Sequence, residues 1–376
     1  MRFSDIPGQQ EIIDRLLSSV KNERVSHAQM FSGPEGCGSL ALALAYAQFV
    51  SCENKLPDDS CGVCKSCVKY GKLIHPDLHF VFPVIKDKKT TDPISDIYIE
   101  HWREFVRHSP YFSVNSWLEH IEAGNAQGLI FASEASEIIK KLSLKTFESD
   151  YKIMIIWLPE KMHPATANKL LKMIEEPPEK TLFLLVSDEP ENVIPTILSR
   201  CQLISIPSFN TESVISYLKN RFGPDDIKAA DIARVANGNI IRAVELCEHE
   251  ETTVKNLERF KNLMRYAWKR DIISLLTWSE EVAVIGREPQ KNFLSFTLRL
   301  VRENLMLTLD QNRNNIVFLT GEEALFSNKF HPFINPGNVF PFVDEINLAY
   351  SHVEANGNPR IIFLDLALKL TRLIER

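Results

Sequence analysis

Ala28-Gln29-Met30-Phe31-Ser32-Gly33-Pro34-Glu35-Gly36-Cys37-Gly38-Ser39-Leu40 is the stretch on which the reading of this chain turns. Ala28 to Phe31 is a short apolar run suited to a buried strand. Glycines follow at 33, 36 and 38, and an alanine- and leucine-rich segment continues as a helix to about Val50. Strand, glycine loop and helix in that order make a phosphate-binding loop. In the working form, Gly-x4-Gly-Lys-Ser/Thr, backbone N–H groups cradle phosphates, the lysine reaches the β- and γ-phosphates, and the hydroxyl helps hold magnesium. Gly33 and Gly38 keep the spacing, but Ser39 stands in the lysine position and Leu40 in the hydroxyl position. Taken alone, such a loop is equally a tight strand-to-helix turn.

The flanking sequence repeats the strand–helix alternation. Glu11 to Val20 has a helical apolar period, Ser133 to Leu144 another, and Ala165 to Glu176 a third that Pro177-Pro178 stops. Leu78 to Val84, Lys152 to Leu158, Thr181 to Ser187 and Gln202 to Ile206 read as strands. The run at 152–158 is apolar almost throughout, as in a parallel strand covered on both faces. This alternation predicts a parallel α/β sheet. ATPases built this way end a buried strand in acidic residues that hold magnesium. Here the strand ends in Trp157-Leu158-Pro159, and Glu160 comes later. Two separate sites have lost the parts that phosphoryl transfer needs.

Beyond Pro207 the strand signal fades. Thr211 to Arg221, Asp225 to Ala236 and Ile240 to Cys247 are short helices, and about 255 to 376 is helical in period. Arg360 to Arg376 is apolar on more than one face, so it packs on several sides. An ordinary helical core and contact with other subunits both account for that. Lys86 to Gly128 is polar, dotted with aromatics, and reads as an insertion. The basic positions Lys255, Arg259, Lys261, Arg265, Lys269 and Arg270 are read as a solvated face and not as a DNA contact.

The chain has 376 residues, 44% hydrophobic and 24% charged, enough for two or three domains with real cores. No stretch approaches the roughly 18 apolar residues of a membrane helix. Met1-Arg2-Phe3-Ser4-Asp5 lacks the apolar core of a signal peptide, so a cytoplasmic protein is expected. A net charge of −6 argues against a free-standing nucleic-acid binder with a large basic surface. Four of the seven cysteines, Cys52, Cys61, Cys64 and Cys67, have the spacing C-x8-C-x2-C-x2-C. Such a cluster in a reducing compartment points to a metal before disulfides. Four thiolates give Zn²⁺ a closed tetrahedral shell with no open position for catalysis, hence structural zinc. Gly62 allows a tight knuckle. His75 is a substitute ligand to consider, although His75-Pro76-Asp77 reads better as a turn.

Several segments together resemble the bacterial clamp-loader AAA+ family. They are Ile6-Pro7-Gly8-Gln9, Ser26 to Gly38, Cys61 to Cys67 with His75-Pro76-Asp77, Ala167 to Pro178, and Pro195 to Gln202, in order over about 6–206. The resemblance implies an α/β AAA+ domain of the RecA-like, P-loop NTPase fold over 1–206, with a zinc module inserted at 52–67. It further implies a small helical lid over 207–254 and an all-α collar over 255–376 that binds other subunits. A loader of this family opens a ring-shaped sliding clamp and places it on primer-template DNA. The implied partners are therefore gamma/tau ATPase subunits, a delta subunit, the clamp and DNA. The ATP-hydrolysing gamma/tau subunits keep the loop lysine and the acidic strand end. The departures at Ser39, Leu40, Trp157 and Leu158 therefore select a subunit that does not hydrolyse ATP. By the same resemblance Arg200 is an arginine finger supplied in trans to a neighbour's ATP, although out of that context it reads as a surface salt bridge. Ser187 and Arg242 stand where sensor residues would and are read as vestiges. The stretch 86–128 is longer than the compact family pattern, and the C-terminal third carries no matching motif. An active AAA+ ATPase and a zinc-dependent nucleic-acid-binding module are the competing functions. The loop and strand-end replacements speak against the first, and the net charge against the second.

Overall fold

Five parallel strands form the sheet of the N-terminal half: β1 Ala28–Ser32, β2 Leu78–Val81, β3 Lys152–Trp157, β4 Thr181–Ser187 and β5 Gln202–Ser205. Their order across the sheet is β2-β3-β4-β1-β5. Met30 of β1 lies in register with Leu185 on one side and Leu203 on the other. On the other half, Met154 pairs with Phe183 and with His79. Strands β1, β3 and β4 are buried at every residue, which is why their sequences are predominantly apolar. The edge strand β5 keeps one buried residue, Ile204, in four. The computed structural model describes residues 1–86, 92–124, 126–223, 226–248, 250–309, 317, 319 and 321–374. Asp225, residues 87–91 and 125 of the segment read as an insertion, and Glu375 and Arg376 of the stretch read as 360–376 lie outside them. No helix among the described residues is long and apolar enough to cross a membrane.

The chain divides into two compact units: Met1–Pro224 with Ala236–Val244, and Asp225–Val235 with Glu245–Arg376. In the first, helix Ser39–Val50 leaves the glycine loop and is buried at all twelve residues. Its alanines allow close approach to the sheet. Its two large polar groups are satisfied inside: Gln48 donates to Ser60 Oγ at 2.9 Å, and Tyr46 Oη lies 3.1 Å from Ser19 Oγ. Helix Pro164–Glu175 begins with proline at its first position, where no N–H is needed, and ends just before Pro177.

The described part of the insertion is more ordered and more buried than its polar sequence suggests. It contains helices Ile99–His108 and Val114–His120. Their aromatic rings converge on Trp102, which is fully buried. Phe82 stacks on it at 4.2 Å, and Trp117 and Trp157 lie 5.2 Å away. Trp117 Nε1 donates to the Pro83 carbonyl at 2.8 Å. The buried Glu134 carboxylate accepts from Ser95 N–H at 2.7 Å and from Ser95 Oγ at 3.0 Å, which pins the start of the insertion.

The second unit is helical, with Glu250–Lys269, Ile272–Ala283, Arg287–Leu309, Gly321–Phe330, Val339–Glu354 and Pro359–Leu373 as its longest helices. Phe260, Trp278, Phe293, Phe342 and Phe363 form the centre of its core. The last helix turns Ile362, Phe363, Leu366 and Leu370 inward and leaves Ile361 exposed. That is the ordinary-core arrangement for most of its apolar residues.

Because Trp102 joins two helices of the insertion to the end of β3, Trp102→Ala should destabilise the N-terminal unit by about 3–5 kcal/mol. Urea unfolding followed by circular dichroism checks this; a loss below about 1 kcal/mol would show that the ring is dispensable.

Candidate functional site

The glycine loop lies at the carboxyl end of β1, beside the end of β4, where open α/β sheets place their ligands. Gly38 has φ 87°, and a Cβ there would fall 2.7 Å from the Phe209 ring, so only glycine fits. The loop is tied down on two further sides. Gln9 donates to the carbonyls of Cys37 (3.2 Å) and Pro207 (2.7 Å). The Gly36 carbonyl accepts from Ile240 N–H at 3.2 Å. Asn239 sits against Gly36, and its Oδ1 accepts from Arg242 N–H at 3.0 Å.

Each of the four replaced positions is buried. Ser39 is 6% exposed, Leu40 5%, Trp157 3% and Leu158 3%. The described part of the insertion covers this end of the sheet. Trp157 packs on Trp102 and, at 5.1 Å, on Phe112. The buried Tyr111 lies beside Gly38 and against Phe209 (6.2 Å) and Tyr217 (5.3 Å). The positions of the lysine and the magnesium hydroxyl are thus held by buried side chains, and aromatic rings stand against the neighbouring Gly38 and Trp157.

Leu158 leaves the strand in the left-handed region, φ 57°, which is unusual for a branched residue. Its N–H is held by the Val186 carbonyl at 2.8 Å. This turn carries Glu160 back to the end of β4. There its carboxylate accepts from Ser187 Oγ at 2.9 Å, Asp188 N–H at 3.1 Å and Glu189 N–H at 3.3 Å. Ser187 is completely buried, so its hydroxyl is engaged inside the chain. Burial pushes the Glu160 carboxyl above its usual range. The Asp188 carboxyl is pushed up to about 7, by burial first and then by Glu160, Glu35 and Glu189. Acidic groups therefore face the loop where a triphosphate would bring more negative charge.

Arg200 follows the short helix Pro195–Leu198 and is partly exposed. Its guanidinium meets Glu175 at 2.5 Å and donates to the Thr196 carbonyl at 2.9 Å.

The cysteine cluster is separate from the loop. The Sγ atoms of Cys52, Cys61, Cys64 and Cys67 all lie within 4.8 Å of one another. Cys61 and Cys67 sulfurs are 3.9 Å apart, close to the roughly 3.8 Å that separates sulfurs around a tetrahedral zinc at about 2.3 Å. Backbone N–H groups of Cys61, Cys64 and Cys67 point at the sulfurs of Cys52, Cys61 and Cys64, at 3.3, 3.3 and 3.4 Å. N–H groups of Val63 and Cys64 lower the Cys61 thiol to about 6. The donor set and its spacing fit a metal ion. His75 is not in the group: it is buried beside Tyr70, ring centroids 4.7 Å apart, in the turn before β2. Two carboxylates brace this module. Asp59 accepts from the N–H groups of Phe3 (3.1 Å) and Ser4 (3.0 Å). Asp77 accepts from those of Phe147, Glu148 and Ser149, at 2.7, 2.8 and 2.8 Å.

Sequence reasoning missed Tyr111, Phe112 and Trp102 as the cover of the crevice, and Glu160 with Asp188 as its acidic rim. The aromatic density of 98–117 was the available signal for the first group. Nothing local marks the second, whose members are 28 residues apart.

An open parallel sheet with a glycine loop after its inner strand β1 defines a unit of the phosphate-loop type, here with its polar residues replaced. The family described as DNA polymerase III, delta subunit, has a model that matches residues 8–210. The chain belongs to that family, among the clamp-loader AAA+ subunits. It is 27% identical over 252 residues to the DNA polymerase III subunit tau of Bacillus subtilis, covering 66% of this chain and 37% of tau. It is 26% identical over 245 residues to subunit delta' of the same organism, covering 65% of this chain and 60% of delta'. Subunit gamma of Buchnera aphidicola is 24% identical over 350 residues, covering 91% of this chain and 80% of gamma. The matched stretch thus spans less than two thirds of either Bacillus protein.

Asp188 yields a test of the acidic rim. Its folded pKa lies above the roughly 3.9 of an unfolded aspartate, so the folded chain binds the extra proton between about pH 4 and 7. Stability is therefore present at low pH and lost as pH rises through that window. Asp188→Asn should reduce the fall in stability between pH 5 and 8 by roughly 1–3 kcal/mol. Denaturant titrations at both pH values check it, and an unchanged pH slope would place the proton elsewhere.

Proposed function

We propose that this chain is the delta-prime subunit of a bacterial DNA polymerase III clamp loader. It does not hydrolyse ATP itself and supplies Arg200 in trans to a neighbouring ATPase subunit. The observation that carries this reading is that Trp157, at the strand end, is packed under Trp102 and Phe112 while Tyr111 sits beside Gly38, and that Ser39 and Leu40, in the lysine and hydroxyl positions, are themselves buried. Lysine, magnesium hydroxyl and strand-end carboxylates are all replaced, and the acidic rim of Glu160 and Asp188 opposes a triphosphate. Ser187 and Arg242 are then vestiges of sensors. Residues 207–254 act as the lid segment and 255–376 as the collar that meets gamma/tau and delta subunits. The complex opens the sliding clamp and places it on primed DNA.

Arginine suits the trans role because its planar fork matches phosphate oxygens and stays charged at any cellular pH. Glu175 holds the guanidinium at the surface; a neighbour's γ-phosphate would compete with that carboxylate. The likeness to subunit tau supports a second reading, an active ATPase, and turnover by the purified chain would favour it. In a loader reconstituted with Arg200→Ala, the complex should assemble. Its DNA- and clamp-stimulated ATP hydrolysis should fall only partly, although the affected site loses about 10³-fold or more. Wild-type rates of hydrolysis and clamp loading would reduce Arg200 to a salt bridge with Glu175.

The four cysteines hold structural Zn²⁺ in this proposal, with the three backbone N–H groups offsetting thiolate charge. The metal supplies a fixed cross-link and no catalytic step, since four protein ligands close its shell. Purified protein should contain about one zinc per chain with four sulfurs at about 2.3 Å by X-ray absorption. Cys64→Ser should lower the melting temperature. Metal-free protein with four freely titratable thiols would refute the assignment.

A further inference from the structure

We propose that a groove in the helical unit docks an acidic, amphipathic segment of a partner protein, whose bulky apolar side chains enter the groove while its carboxylates meet the rim. The groove lies between helices Glu250–Lys269 and Gly321–Phe330, closed at one end by Phe333 and Ile374. Its cavity measures about 260 Å³. That falls just below the roughly 300–1,000 Å³ of small-molecule pockets and suits one or two large side chains. Met264, Phe330 and Ile374 are buried and form the floor, whereas Trp268 is 43% exposed. Lys261, Met264, Arg265 and Trp268 follow i, i+3, i+4, i+7 spacing and so share one face of their helix. An aromatic wall left open to water beside a dry floor is the arrangement of a binding hot spot.

The rim decides the partner. Lys261 and Arg265 stand on one bank and Lys329 on the other, in a chain whose net charge is −6. Lys261 is held by Glu258 at 2.8 Å, which fixes its position along the bank. Three cations around an apolar slot select carboxylates flanking an apolar anchor, the helix-in-groove mode with acidic register. A second copy of this chain would bring the same three cations to the same place, so a face-to-face contact of two grooves is repelled. A nucleic-acid strand would meet the cations and stack a base on Trp268, but it carries no flexible aliphatic side chain for the recessed floor of Met264 and Ile374.

The test uses the full chain and two fluorescein-labelled synthetic peptides. One carries a tryptophan and two leucines at helical spacing with glutamates elsewhere; the other has lysine for every glutamate. Fluorescence anisotropy should show the glutamate peptide binding about tenfold or more tightly than its counterpart. Arg265→Glu with Lys329→Glu, both exposed positions, should invert that preference, and Trp268→Ala should weaken both peptides. Circular dichroism melts confirm that the variants fold. Equal affinity for the two peptides, or a preference untouched by charge reversal, overturns the proposal. So does displacement of the peptide by an oligothymidine strand, or sedimentation showing self-association that the peptide dissolves.

Discussion

Burial of Trp157 at the end of β3 is the constraint on which the N-terminal unit depends. An indole cannot be left in water at the mouth of a sheet without cost, and here it is covered by Trp102 and Phe112 of the insertion. Tyr111 of the same segment stands beside Gly38, so the insertion reaches from the end of β3 to the glycine loop. The Leu158 turn, which follows the indole directly, then carries Glu160 to Ser187 and ties the ends of β3 and β4 together.

The fold was legible in sequence where information is local. Lys152 to Leu158 and Thr181 to Ser187 are apolar at all but their terminal positions because both faces are covered, and they were read as strands for that reason. Pro177 marked the end of the preceding helix, and the cysteine spacing marked a compact cluster, because each depends on neighbours a few residues away. The insertion was read as irregular although Ile99–His108 carries an amphipathic period, with Trp102 and Val106 on its buried face; what escaped reading is the aromatic packing that joins it to the sheet end, because those partners are distant in sequence. Arg200 shows the same limit. Its identity and motif were visible, but Glu175, which holds it, is 25 positions earlier on another helix.

Two buried carboxylates tie the chain on either side of the cysteine cluster to distant segments. Asp59 gathers backbone donors from residues 3 and 4, and Asp77 from 147 to 149. Three N–H bonds on one buried carboxylate hold its charged form and lower its pKa against the cost of burial. Each carboxylate thus joins chain segments that are far apart in sequence to the two sides of the module.

The placement of the five tryptophans makes the two units optically distinct. Trp102, Trp117 and Trp157 form one set joined through Trp102, which lies 5.2 Å from each of the others. Light absorbed by one is shared among the three and shielded from dissolved quenchers by the surrounding rings. Trp278 is buried in the helical unit, and Trp268 alone is open to solvent. Iodide should therefore extinguish the emission of a single residue, so that the quenchable fraction of the spectrum reports on one helix face and the remainder on the interior.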